Sequence, residues 1–123
     1  MTNVERKRER SKHQPTGQWI RTDKRLAIYL RDSFRCAYCG SDLHGAAAAA
    51  MTLDHLISQA QGGHNGETNL VTACRTCNCS RQENDWRAFA SLDAARRIET
   101  KTQKNLRRYL TQARGLIARQ RVN

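Results

Sequence analysis

The chain of 123 residues is long enough for one domain, and at 38% hydrophobic residues its core is thin for that length. The longest apolar run, Ala46 to Met51, is six residues, far short of the ~18 needed to span a bilayer. No segment has the apolar centre of a secretory signal, so the expectation is a reduced, cytoplasmic protein with no membrane span, in the host cytoplasm if a phage encodes it. The net charge of +11 is unevenly spread: residues 1–35 carry ten basic and four acidic groups, residues 36–80 one and three, residues 81–123 eleven and four. Two basic flanks around a mildly acidic centre are expected where a chain grips a polyanion and keeps a cation in the middle, so nucleic acid is the expected partner.

Taken in order, residues 1–18 hold almost nothing to bury and are expected to be a disordered basic arm. "TDKRLAIYLRDSF" predicts a short helix, with Thr22 or Asp23 as N-cap and Leu26, Tyr29, Leu30 and Ser33 along one face. After "CAYCG" and "SDLHG", the alanine run is expected to be a linker. "MTLDH" alternates apolar and polar residues and predicts a strand, "ISQAQGGHNGET" a loop, and "NLVTA" a second strand. From "CRTCN" onward the pattern is helical, beginning near Arg75. Ser80 and Glu83 compete with that start, because they match a capping box that would open a helix at Ser80. A break near "END" precedes a long final helix from Leu92 to about Gln120, its stripe made by Ile98, Leu106, Tyr109, Leu110, Ala113 and Ile117. Trp19 and Trp86 are read as packing residues, since a chain with seven aromatics is poor in platforms for stacking single-stranded bases.

The five cysteines are an odd number, which argues against a framework of disulfides alone. Four of them form two C-x-x-C pairs, Cys36 with Cys39 and Cys74 with Cys77. Each pair can grip one metal ion through a tight turn, and together they complete a closed, tetrahedral, all-thiolate site for structural zinc. Cys79 is left over as a spare thiol.

Between and beside these pairs stand Asp54-His55, Asn69 and Asn78. "CAYCG", "LDHLISQAQGG" and "NLVTACRTCN", in that order, resemble the HNH endonuclease family, in the version with an embedded four-cysteine zinc site and Asn in the third signature position. The resemblance covers residues about 20 to 90. It implies a small α+β fold of ββα-metal type, with flanking helices and one catalytic divalent ion. By the same resemblance His55 is the general base, Asp54 and Asn78 are ligands of the ion, and Asn69 pins the loop that aims His55. The carboxylate and amide oxygens are hard donors, which favours Mg²⁺ or Mn²⁺ there over a second zinc. Strand alternation would send Asp54 and His55 to opposite faces, so the fold must bring them back together.

The implied domain order is the basic arm 1–18, a zinc-stapled nuclease domain 19–90 and a basic helix 91–121 packed on it or extending it. Arg75, Arg81, Arg87, Lys24 and Arg25 are expected on the DNA. The implied activity is nicking or cutting of double-stranded DNA by water activated at His55. Two alternatives stand beside it: a catalytically silent zinc-ribbon DNA-binding protein, and an accessory subunit that cuts within a larger phage or mobile-element complex, such as a packaging machine. A homodimer is a further expected route to a double-strand cut. His64 reads as a solvated loop residue, and His13 and His44 have no partner legible in the sequence.

Overall fold

The structure, a computed structural model, describes residues 20–122; the basic arm with His13, and Trp19, lie outside the described residues. The chain runs through helix α1 (Thr22–Arg31), strands β1 (Met51–His55) and β2 (Leu70–Cys74), and helices α2 (Arg75–Arg81), α3 (Trp86–Phe89), α4 (Leu92–Thr102) and α5 (Arg107–Val122). The strands pair antiparallel, with Thr52 opposite Ala73, Asp54 opposite Val71 and His55 opposite Leu70. The result is a small α+β fold, a hairpin with helices on both faces. The alanine run links it to α1, ending in a short 3₁₀ turn at Ala48–Ala50. No helix among the described residues is long and apolar enough to cross a membrane.

Opposed residues of an antiparallel pair share a face, and the next residues along take the other. Val71 and Ala73 therefore join one core with Cys36, Tyr38, Leu43, Leu56, Trp86 and Ile98. Leu70 lies in a second core with Ile20, Ala27, Ile28, Leu106 and Ala113, and the half-buried Leu53 packs against it. Trp86 is a packing residue, as expected.

The two cores explain why the expected long C-terminal helix is two helices. Ile98 serves the first core, while Leu106 and Ala113 serve the second, and one straight helix cannot lie on both faces of a hairpin. The chain turns between α4 and α5 at Asn105, whose side-chain oxygen accepts the Arg107 N–H at 2.8 Å. An Asn that caps a new helix was the local signal for this break.

At the front of the molecule, no side chain caps α1, and the residue preceding it is Arg21. Asp23 is inside the first turn, not at the cap, and there it takes Arg114 of α5 at 3.1 Å. The helix ends because Ser33 and Phe34 adopt left-handed φ angles of +58° and +56°. Ser33 consequently leaves the helical face expected for it. The capping box at Ser80 and Glu83 does not form either: α2 begins at Arg75, with the Cys74 sulfur accepting the Cys77 N–H, and ends where Gln82 turns left-handed at φ +53°.

One buried ion pair joins α1 to the sheet. The Arg31 guanidinium donates to both oxygens of Asp32, at 2.8 and 3.1 Å, and to the carbonyls of Glu67 and Leu70 at 2.9 and 2.6 Å. Asp32 in turn accepts the Thr72 N–H at 2.9 Å, and Ala37 donates to the Thr72 carbonyl at 2.8 Å. The edge of β2 away from β1 is thereby engaged at Leu70 and Thr72 by α1 and the segment after it, which covers those backbone groups from another chain. Both side chains are almost fully buried, so Asp32→Ala, which strands the Arg31 charge, is expected to destabilise the fold by about 3–5 kcal/mol. Urea denaturation checks this through a large fall in the transition midpoint.

Candidate active site and metal centre

The two C-x-x-C turns meet in space. The four sulfurs of Cys36, Cys39, Cys74 and Cys77 lie within 4.8 Å of one another, and those of Cys39 and Cys74 are 3.9 Å apart. A tetrahedron with metal–sulfur bonds of about 2.3 Å has edges of about 3.8 Å, so the donor set and its spacing fit a metal such as zinc. In each turn the second cysteine N–H points at the first sulfur, at 3.5 Å in Cys39 to Cys36 and 3.4 Å in Cys77 to Cys74. Gly40 closes the first turn at φ +75°, a conformation that a side chain would strain. The crowding shows in the thiols themselves. Burial pushes Cys36 up, and burial with the neighbouring sulfurs pushes Cys77 up further. Burial also acts to raise Cys39, but hydrogen bonds with Ser41 and with the Cys36 and Cys74 sulfurs together outweigh it and bring that thiol down to about 7. A bound cation would resolve this conflict by stabilising all four thiolates together. Cys79 is exposed and outside the cluster.

The first turn also reaches the strand. Tyr38, inside Cys36–Cys39, donates its hydroxyl to Asp54 Oδ2 at 2.5 Å. Burial, then the carboxylate beside it, drives the Tyr38 phenol well above its ordinary range, so it remains a donor. Arg81, at the end of α2, grips the same carboxylate with two parallel bonds, Nε to Oδ2 at 2.9 Å and Nη2 to Oδ1 at 3.0 Å. Its Nη2 also donates to the His55 carbonyl at 2.5 Å, and its Nη1 to the Asn84 carbonyl at 2.5 Å. Burial acts to lower the Arg81 pKa, but the Asp54 carboxylate overrides this and raises it.

Asp54, His55, Asn78 and Arg81 line one cleft of about 360 Å³, together with Ser58 and Glu83. The three residues expected to act together are thus brought together, although Asp54 and His55 are neighbours on a strand. Asn78 is held by its amide nitrogen, which donates to Thr52 Oγ1 at 2.9 Å and to the Leu53 carbonyl at 3.4 Å. Nothing among the described residues donates to its side-chain oxygen, which is thus available to a cation. Asp54 keeps less: Oδ2 accepts two hydrogen bonds and Oδ1 accepts one, so one lone pair of Oδ1 remains. One carboxylate oxygen and one amide oxygen, completed by water or phosphate, fit a hard divalent ion such as Mg²⁺ or Mn²⁺.

Asn69 is buried at the start of β2 and clamps the intervening loop. Its Oδ1 accepts the Ile57 N–H at 2.9 Å, and its Nδ2 donates to the carbonyls of Ile57 and His64, both at 2.9 Å. The loop passes so close to itself that a Cβ on Gly63 would lie 1.7 Å from the Ile57 carbonyl oxygen, which accounts for the glycine there. His64 is exposed and accepts the Gly66 N–H through Nδ1 at 2.9 Å. His44 does have a partner, Asp42, at 2.6 Å.

Residues 36–83 match the family model of the HNH endonuclease. No curated protein and no solved structure matches the chain. The HNH segment spans both cysteine turns, the hairpin and α2, so it contains the four-thiol cluster and the cleft in full. The match supports nuclease activity in general and a nucleic-acid substrate.

The basic residues expected on DNA are not equivalent. Arg75 is exposed at the start of α2, whereas Arg81 is buried to 3% exposure on Asp54 and is corrected from a DNA contact to an internal partner. The Arg87 guanidinium pairs with Glu99 and lies over the Trp86 ring. Arg25 bonds the Tyr29 hydroxyl at 3.3 Å, and Lys24 bonds the Asn65 carbonyl at 2.5 Å. The sequence also missed Tyr38 and Asn65, the latter accepting from His55 at 2.7 Å. Tyr38 had a signal, its place inside a metal-binding turn; Asn65 stood among several polar residues of one loop.

Cys36 is 1% exposed and central to the first core, so Cys36→Ser is expected to lose the bound metal and the cooperative thermal transition together. Metal content by atomic emission and melting by circular dichroism check this. A wild-type chain that keeps its melting temperature after chelation would show that the four thiols hold the fold without a metal.

Proposed function

We propose that the chain is a metal-dependent DNA endonuclease that hydrolyses phosphodiester bonds of double-stranded DNA. The observation that carries this reading is the single cleft shared by Asp54, His55 and Asn78 within the HNH segment. His55 is half-buried at the end of β1, and a neutral imidazole can take the proton of an attacking water near neutral pH. The water oxygen forms a bond to phosphorus, the bond from phosphorus to the 3′ oxygen breaks, and the 3′ oxygen is protonated from solvent. The ends are a 5′-phosphate and a 3′-hydroxyl. Asp54 Oδ1 and Asn78 Oδ1 would hold the divalent ion. Such an ion, when bound, offsets the charge that develops on the phosphate and the leaving oxygen. Zinc at the four cysteines is structural, because four thiolates leave no open position.

On this reading residues 19–90 form the nuclease unit, and the basic segment 91–121 extends the grip on DNA. One base and one ion site cut one strand, so a double-strand break requires a second copy, a larger complex or a second nick. A second reading, a silent zinc-stapled DNA-binding module, is favoured by one observation: the Asp54 carboxylate already accepts three hydrogen bonds within the chain.

Incubation of supercoiled plasmid with the purified chain and Mg²⁺ or Mn²⁺ separates the two. The expected result is nicked or linear DNA, abolished by chelator and by His55→Ala, with the DNA affinity of that variant nearly unchanged. DNA binding without any cleavage in either metal would favour the silent module.

A further inference from the structure

The cleft leaves one question of chemistry open: which nitrogen of His55 carries the proton. His55 Nε2 lies 2.7 Å from Asn65 Oδ1, and the same oxygen accepts from Gln59 Nε2 at 3.2 Å. An amide oxygen has lone pairs and no proton, so the hydrogen in the first of these bonds belongs to the imidazole. A neutral imidazole has only one, which leaves Nδ1 bare.

Asn65 is itself held on every side. Asn69 grips the carbonyl of the residue before it at 2.9 Å, and the Gly66 N–H after it is bound to His64 at 2.9 Å. Its own carbonyl accepts Lys24 Nζ at 2.5 Å. Lys24 belongs to α1, which precedes the segment that matches the family, and α1 is fastened to the same loop through Arg31 and the Glu67 carbonyl. A side chain whose backbone is fixed from three directions loses little further freedom when it orders its partner.

The geometry points to Asn65 as the positioning residue that fixes His55 as its Nε2–H tautomer, with Nδ1 as the nitrogen that takes the proton from water, and to Lys24 of α1 as the prop that keeps Asn65 in place. This rests on the reading of His55 as the base. Asn65 touches no reacting atom; it acts through the ring. A helix outside the HNH segment is thereby part of the catalytic apparatus.

The test uses the full chain with ¹⁵N-labelled histidine. Ring ¹⁵N shifts, assigned to His55 by their loss in His55→Gln, report the tautomer whether or not DNA is cut. The wild type is expected to show a protonated Nε2 and a bare Nδ1. In Asn65→Ala the two tautomers should mix, and single-turnover nicking should fall about 10- to 100-fold at unchanged DNA affinity, a part of the 10²–10⁴ that a general base contributes. Asn65→Asp, which keeps an acceptor at the same position, should retain the Nε2–H tautomer and recover most of the rate. A wild-type ring protonated on Nδ1 would overturn the proposal, as would an Asn65→Ala chain with unaltered ring signals and rate. A chain with the Nε2–H tautomer that cuts no DNA would count against the nuclease reading while supporting the placement of the proton.

Discussion

Four sulfurs within 4.8 Å of one another are the constraint on which the rest of the molecule depends. Thiolates at that spacing repel, and thiols there gain little from each other, so a cation is needed to make the arrangement favourable. Once it is made, the segment before β1 is tied to the start of α2. Tyr38 then reaches Asp54 from one side, and Asn78 and Arg81 reach the strand from the other. The four-thiol cluster thus sets the walls of the cleft beside it.

The cleft and the loop beside it are held by hydrogen bonds within the chain. Arg81 holds the Asp54 carboxylate and the His55 carbonyl at once, Asn69 holds the loop at Ile57 and His64, and Asn65 holds the His55 ring. Each of these is a hydrogen bond in a sheltered place, where a lost partner leaves a polar group unsatisfied. The arrangement favours one geometry of His55 before any substrate arrives, which is what a proton acceptor in a positioned hydrolysis requires. Asp54 is the exception to openness: Tyr38 and Arg81 take three of its acceptor positions, so an ion in the cleft meets a single remaining lone pair of Oδ1.

Much of this was legible in the sequence, and for identifiable reasons. The C-x-x-C spacings and the alternation of "MTLDH" are local patterns that mark the four-thiol cluster and β1, whereas the start of α2 at Arg75 followed from placing Asn78 in its first turn, against the local capping signal at Ser80. Asn69 and Asn78 were named through the resemblance; the structure places Asn78 in the cleft wall and Asn69 outside it, bonded to Ile57 and His64 of the loop after β1. What was not legible depends on residues far apart in the chain. The pairing of Arg31 and Asp32 with the edge of β2, and the burial of Arg81 on Asp54, require knowing which faces meet. The division of the last helix follows from two cores on two faces, and only Asn105 marked it locally. Residues counted as positive surface from composition, Arg81 above all, are spent inside the fold, because a charge count does not distinguish a solvated arginine from a buried one.

Hydrolysis in this cleft is tested most directly by cutting a duplex oligonucleotide in ¹⁸O-labelled water and weighing the ends. Water activated at His55 predicts 5′-phosphate ends carrying one ¹⁸O, with 3′-hydroxyl ends opposite. Ends bearing 3′-phosphate, or 5′-phosphate free of ¹⁸O, would contradict it.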